Sequence, residues 1–192
     1  MSSLEVQLRG LIKCLSEQKI KYIILGGIAV SIYGEPRLTA DIDVNIIFDK
    51  KKISEFLKGA KKHGFYPAFP ETENIARETG VIPMNFIKGK ITGNFGIIIS
   101  ENPLEYSAIE RGRFKKIGPV KARLITPEDL IIHKIASSRP RDAEDISGIL
   151  IRQKGKLDIK YIQYWLKKID KANKKSRTYK AFHRLLKEFM IK

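Results

Sequence analysis

The run Tyr22-Ile23-Ile24-Leu25-Gly26-Gly27, with the acidic run Asp41-Ile42-Asp43 after it, constrains this chain more than any other feature. Four apolar residues closed by two glycines read as a short buried strand that must stop. Ile28 to Tyr33 then reads as a short helix, ended by Gly34 and Pro36. Asp41-Ile42-Asp43-Val44-Asn45-Ile46-Ile47-Phe48 follows as a second strand, polar and apolar residues alternating in its first half. On a strand, side chains alternate faces, so Asp41 and Asp43 point the same way, about 6.6 Å apart along the chain.

The rest of the chain continues the mixture. Ser2 and Ser3 precede a helical stripe of Leu4, Leu8, Leu11, Ile12 and Leu15, with Cys14 beside it as a small core or boundary residue. Residues 50–63 read as a helix ended by Gly64. Runs around 84–87 and 95–99 read as strands, and Gly89 and Gly93 between them suggest a hairpin. Residues 122–125 read as a further short strand. Thr126-Pro127-Glu128-Asp129 is a helix start: Thr126 suits the N-cap, Pro127 the first turn, and the two acids oppose the positive helix terminus. That helix is expected to reach Ser138, and a second to begin at Arg141 or Asp142. Residues 158–169 and 178–190 read as amphipathic basic helices, with Trp165, Tyr161, Tyr164 and Ile169 as a buried face. Interspersed strands and helices point to an α/β or α+β core with a helical C-terminal segment, divided at residues 1–152 and 153–192.

Composition narrows the partners. Among 192 residues, 37 are Lys or Arg and 21 are Asp or Glu, a net charge of +16. Residues 153–192 alone hold 13 basic and 3 acidic side chains. Such a field favours nucleic acid, a nucleotide or an anionic surface, although a solvated lysine-rich helical face carries the same composition. With 43% hydrophobic residues, global disorder is excluded. No apolar run is long enough to span a membrane, and no signal peptide is expected. A lone cysteine permits no internal disulfide, and a cytoplasmic setting is expected.

Two carboxylates on one strand face repel unless a cation sits beside them. Hard oxygen donors suit Mg²⁺, which binds few protein carboxylates and takes substrate phosphates as its remaining ligands. The Gly26-Gly27 pair, opening a helix, permits close approach of a phosphate to the backbone. A phosphate cradle beside a metal-binding pair reads as a nucleoside triphosphate site. No P-loop pattern and no Gly-x-Ser-x-Gly elbow occurs. His63, His133 and His183 lie at no metal-ligand spacing and read as structural or solvated.

The stretch GGIAVSIYGEPRLTADIDV resembles the nucleotidyltransferase superfamily, the polymerase-beta-like enzymes. It looks like the branch that holds abortive-infection toxin nucleotidyltransferases and their uncharacterised prokaryotic relatives. Downstream, Thr126-Pro127-Glu128-Asp129-Leu130-Ile131, Lys134, Arg139, Arg141-Asp142 and Asp145 match that branch as well, so the resemblance covers about residues 20–150. It implies a small mixed β-sheet core flanked by helices, and transfer of a nucleoside monophosphate from an NTP, ATP included, to a hydroxyl. The acceptor classes are an RNA or tRNA 3′ end, a protein side chain and a small molecule, and the basic tail favours RNA over the last. It implies one or two Mg²⁺ ions on Asp41 and Asp43, and nucleotide contacts from Gly26, Gly27, Arg37 and Thr39. Lys134 is the implied basic catalytic group, with Asp142 and Asp145 either positioning it or pairing with Arg139 and Arg141. RNA is an expected partner, an antitoxin protein a further candidate, and no membrane is expected.

One departure stands out. The superfamily usually supplies a third carboxylate from a later strand, and Gly93-Asn94-Phe95-Gly96-Ile97-Ile98-Ile99 contains none. Asn94 and Gly96 occupy its phase, and Asn85 and Glu101 are candidate substitutes. Three readings follow: an enzyme working with two carboxylates, one that binds nucleotide and turns it over slowly, and a non-catalytic nucleotide- or RNA-binding relative.

Overall fold

The computed structural model describes residues 2–37, 39, 41–174 and 176–190. Leu38 and Ala40 of the acidic motif, and Lys175, Ile191 and Lys192 of the basic tail, lie outside the described residues. The chain folds as two compact units, one of residues 1–28 and 39–125, the other of residues 29–38 and 126–192.

The first unit is built on a seven-stranded mixed sheet. Helix α1 (Ser3–Glu17) starts where Ser2 accepts a hydrogen bond from the Glu5 backbone N–H. Strand β1 (Lys21–Ile24) leads to helix α2 (Gly26–Tyr33), whose last residues belong to the second unit. Strand β2 (Ile42–Ile47) is followed by a 3₁₀ turn (Lys50–Lys52) and helix α3 (Ile53–Lys61). Then come β3 (Phe65–Pro67), α4 (Thr72–Thr79), β4 (Val81–Lys88), β5 (Ile91–Ile99), α5 (Pro103–Arg111), β6 (Arg113–Ile117) and β7 (Val120–Leu124). The strand order is β3-β4-β5-β2-β1-β7-β6. β2 runs parallel to β5 and β1 parallel to β7, and the other neighbours are antiparallel.

One face of the sheet is a continuous apolar layer. Val44 and Ile46 of β2, Ile82, Met84 and Phe86 of β4, and Phe95, Ile97 and Ile99 of β5 are all buried. The Phe65, Phe86 and Phe95 rings meet at centroid distances of 5.0–6.3 Å. Helix α1 comes so close to these rings that Gly10 has room for no side chain: a Cβ there would stand 2.9 Å from Phe86. Cys14 lies in the same layer, and burial pushes its thiol up to about 11, so it is an inert core residue. The opposite face of β2 carries Asp43 and Asn45.

Several local readings need correction. The β4–β5 turn is Gly89-Lys90, since Lys88 pairs with Ile91. Gly93 is a strand residue instead, and the space beside it is filled by the Gln7 side chain of α1. Residues 50–63 are a 3₁₀ turn followed by a shorter helix. Strand β2 begins at Ile42, so Asp41 is the residue that enters it.

The second unit is helical: α6 (Pro127–Ser137), α7 (Asp142–Arg152), α8 (Ile159–Ala172) and α9 (Arg177–Met190). Thr126 caps α6 by accepting the Asp129 N–H. Asp158 caps α8 through the Tyr161 N–H. α9 is capped from α8: Asp170 accepts the backbone N–H groups of Thr178 and Tyr179 and the Thr178 hydroxyl. Burial pushes the Asp170 carboxyl up, but these donors outweigh it and hold it below its ordinary value. The aromatic face of α8 is only partly buried. Ile162 and Leu166 fill the core, Trp165 is half-buried and Tyr164 exposed, each ring within about 5 Å of the Lys168 ammonium.

Candidate active site

β2 delivers its acidic residues to a groove of about 480 Å³. Asp41 and Asp43 line one part of it, and Asn85, Asn94 and Gly96 of the β4–β5 hairpin line another. The register explains the meeting: Asp43 lies beside Gly96 on parallel β5, and Asn94 is paired with Asn85 on β4. The same alternation that sets Asp41 and Asp43 on one face therefore sets Asn94 and Gly96 beside them. A Cβ built on Gly96 meets nothing within 4 Å, so the space next to Asp43 is open. Glu101 is not among the groove residues. It sits beyond the end of β5 and pairs with Lys50 at 2.7 Å.

The two glycines have a specific reason to be glycines. Gly26 has φ of +64°, a left-handed conformation, and a Cβ there would overlap the Asp43 carboxylate. A Cβ on Gly27 would stand 2.6 Å from the Thr39 hydroxyl oxygen. Thr39 in turn donates to the Asp41 carbonyl oxygen at 3.2 Å. The start of α2 is thus pressed against the residues that enter and form β2.

The segment between β3 and α4 contributes Ala68 and Phe69 to the groove, and β4 contributes Pro83 and Met84. Phe69 is 55% exposed, its ring a wall of this groove. Residues 65–79 carry no period that marks a strand or a helix, so local pattern does not place this ring. An isolated Phe in a Pro-flanked segment, Tyr66-Pro67-Ala68-Phe69-Pro70, was the available signal.

A second group of the expected residues forms within the helical unit. The buried Lys134 ammonium donates to Asp142 at 2.9 Å and Asp145 at 2.6 Å. Asp145 also pairs with the Arg37 guanidinium at 3.3 Å. Asp142 further accepts from the Ser137 hydroxyl and from the Arg139 backbone N–H. Burial pushes the Asp142 carboxyl up, and these donors together bring it below its ordinary value. The two carboxylates, three residues apart on α7, therefore pair with Lys134 and Arg37, and Arg139 offers only its main chain. Lys134 is held by two anions, so its charge is already matched inside this cluster.

Among the described residues no group of three or more His, Cys, Asp or Glu side chains is placed to hold a metal ion. The pair Asp41 and Asp43, lining the groove, nevertheless fits a hard divalent cation that completes its ligands with phosphate oxygens and water. No helix is long and apolar enough to cross a membrane among the described residues.

No curated protein matches the chain. The solution structure of the antibiotic-resistance factor ANT(2'')-Ia shares its fold, with a TM-score of 0.59 at 12% identity over 91% of this chain and 97% of that one. A nucleotidyltransferase-like antigenic protein from Paracoccidioides brasiliensis aligns with a TM-score of 0.43 at 20% identity, over 93% and 90% of the two chains. A family model described as nucleotidyl transferase of unknown function (DUF2204) matches residues 5–181, the groove and the Lys134 cluster both included. With nearly its whole length inside that match, this chain belongs to the nucleotidyl transferases of unknown function.

Proposed function

We propose that the chain transfers a nucleoside monophosphate from an NTP, ATP in the first instance, to a hydroxyl at an RNA or tRNA 3′ end. Hydroxyls on a protein side chain and on a small molecule are the other acceptor classes. The observation that carries the reading is the pair Asp41 and Asp43 on one wall of an open groove, with Asp43 braced against Gly26. Asp41 and Asp43 hold Mg²⁺, which when bound offsets charge on the triphosphate and on the oxygens of the displacement. The acceptor oxygen bonds to the α-phosphorus, the bond to the bridging oxygen breaks, and pyrophosphate leaves. The hydroxyl proton departs to solvent, to which the groove is open. Phe69 offers its exposed ring to the nucleobase, and Asn94 and Asn85 offer neutral hydrogen bonds beside the carboxylates. Arg37, Lys134, Asp142 and Asp145 act together in this reading, the two carboxylates fixing the cations' orientation. A cytoplasmic setting and a toxin–antitoxin role with a protein antitoxin are the biological extension of the resemblance.

A second reading has a specific observation behind it. Beside Asp43, where the superfamily places a third carboxylate, stand Gly96 and the neutral Asn94. In that reading the chain binds nucleotide or RNA without turning it over.

Incubation with Mg²⁺, labelled NTPs, and total RNA or protein separates the two. Label transfer that disappears in Asp41→Ala and Asp43→Ala supports the transferase. Nucleotide binding without transfer to any acceptor supports the second reading. Transfer at the wild-type rate by the double variant would falsify the assignment of the pair.

A further inference from the structure

Two adjoining cavities in the helical unit, of about 550 and 390 Å³, share Lys180 and Arg184 of α9. Arg139 and Arg177 complete the basic lining of the first. Tyr179, His183 and Lys187 line the second. We propose that these two adjoining cavities together bind the sugar–phosphate backbone of a single-stranded polynucleotide.

The charge in the groove is not spent internally. Lys134 and Asp142 at its inner end neutralise each other. Arg139, Arg177, Lys180, Arg184 and Lys187 are exposed, and among the described residues none of them forms an ion pair. Arg177, Lys180, Arg184 and Lys187 follow one another at intervals of three, four and three residues, one stripe along α9 about 15 Å long. A stripe of that length addresses successive phosphates, whereas a single phosphate would need one or two of these side chains. Guanidinium groups suit phosphate oxygens because they offer paired donors in one plane.

The rings select a single strand over a duplex. Tyr179 and His183 stand edge to face at 6.0 Å in the second cavity, with the Lys167 ammonium 5.0 Å from the tyrosine ring. Bases reach such rings only when unpaired, and a basic groove with aromatic platforms is the arrangement that holds single strands. α9 is also anchored for the task. Its first turn is tied to Asp170, and Phe182 on its other side is fully buried. The inference rests on the transferase reading only in taking the bound strand as the acceptor, and the binding itself is measured without transfer.

The test is fluorescence anisotropy on the full chain with a labelled 20-nucleotide RNA, a DNA of the same sequence and labelled ATP, each across a salt series. Lys180→Ala/Arg184→Ala is compared with Lys51→Ala/Lys52→Ala, which removes the same charge from exposed positions of the sheet unit. The groove variant is expected to weaken RNA binding roughly tenfold and to lower the log–log salt slope by about 1.4, two contacts at about 0.7 each for single strands. Parallel weakening on DNA supports a backbone-directed site, and a larger effect on RNA supports one that also reads the 2′-hydroxyl. Circular dichroism should be unchanged, since both residues are exposed. The proposal is overturned if wild type binds neither polynucleotide, if the groove variant weakens binding no more than the control, or if ATP binding falls while RNA binding holds. Loss of RNA binding with intact label transfer to a small acceptor would sink the strand's role as acceptor and leave the transferase reading standing.

Discussion

The Asp43 carboxylate occupies the space in which a side chain at residue 26 would stand. The glycine is therefore required by the chain's own acidic residue, whatever further room it leaves for a phosphate. Gly26→Ala must displace Asp43 and also place a Cβ on a left-handed backbone. Strain of that kind costs about 1–3 kcal/mol. The expected outcome is a lowered Tm together with a loss of label transfer approaching that of Asp43→Ala. A variant with normal transfer would show that Asp43 can act from another position.

Gly96 offers a gain-of-function experiment. It lies across from Asp43, and a Cβ there meets nothing within 4 Å. The Cβ of Gly96→Asp therefore displaces no neighbour. A third carboxylate should tighten Mg²⁺ binding and raise the transfer rate, while like-charge repulsion lowers Tm in the absence of the ion. Asn94→Asp, close to isosteric, serves as the companion variant. The readouts are the Mg²⁺-induced shift in Tm and the rate of label transfer. An active wild type that neither change improves would mean that two carboxylates suffice.

Phe69 should matter for nucleotide affinity and not for the chemical step. A base–aromatic stack is worth about 1–3 kcal/mol, so Phe69→Ala should raise KM for the NTP at least about fivefold with little change in kcat. The ring is 55% exposed, and its removal should leave Tm nearly unchanged. Equal effects on kcat and kcat/KM would contradict a purely binding role.

The Lys134 cluster should dominate stability in the helical unit. Lys134→Ala leaves two buried carboxylates without their shared ammonium, a loss of about 3–5 kcal/mol. The pH dependence has a definite sign. Asp142 titrates below the ordinary carboxyl value of about 3.9. Its contribution is complete at neutral pH and is lost as pH falls through the lowered value. Asp142→Asn should therefore flatten the acid limb of the Tm–pH curve. An unaltered acid limb would assign that limb to other carboxylates, Asp170 among them.

Much of this protein can be read from local pattern. The alternation of residues 41–45 is enough to put Asp41 and Asp43 on one face, because strand geometry has a period of two. Thr126-Pro127 marks the start of α6 because a helix cap is a contact between residues three apart. The amphipathic stripes of α8 and α9 are equally local. Edge elements were not legible. β6, Arg113–Ile117, is exposed along nearly its whole length, has no alternating pattern, and is a strand only because β7 pairs with it. β3 spans three residues and depends in the same way on β4. Partner choice was the other gap. Arg37 meets Asp145 across 108 positions of sequence, and Asp142 and Asp145 take Lys134 in preference to the adjacent arginines. Gly93 is a strand residue because β4 pairs with it, and a glycine because Gln7, far away in sequence, fills the space beside it. Periodicity and caps are written in neighbouring residues, so the sequence alone determined the strongly patterned elements and the acidic pair. Which charge is matched, which glycine is filled and which groove stays open depend on packing between distant segments, and only the tertiary structure decided them.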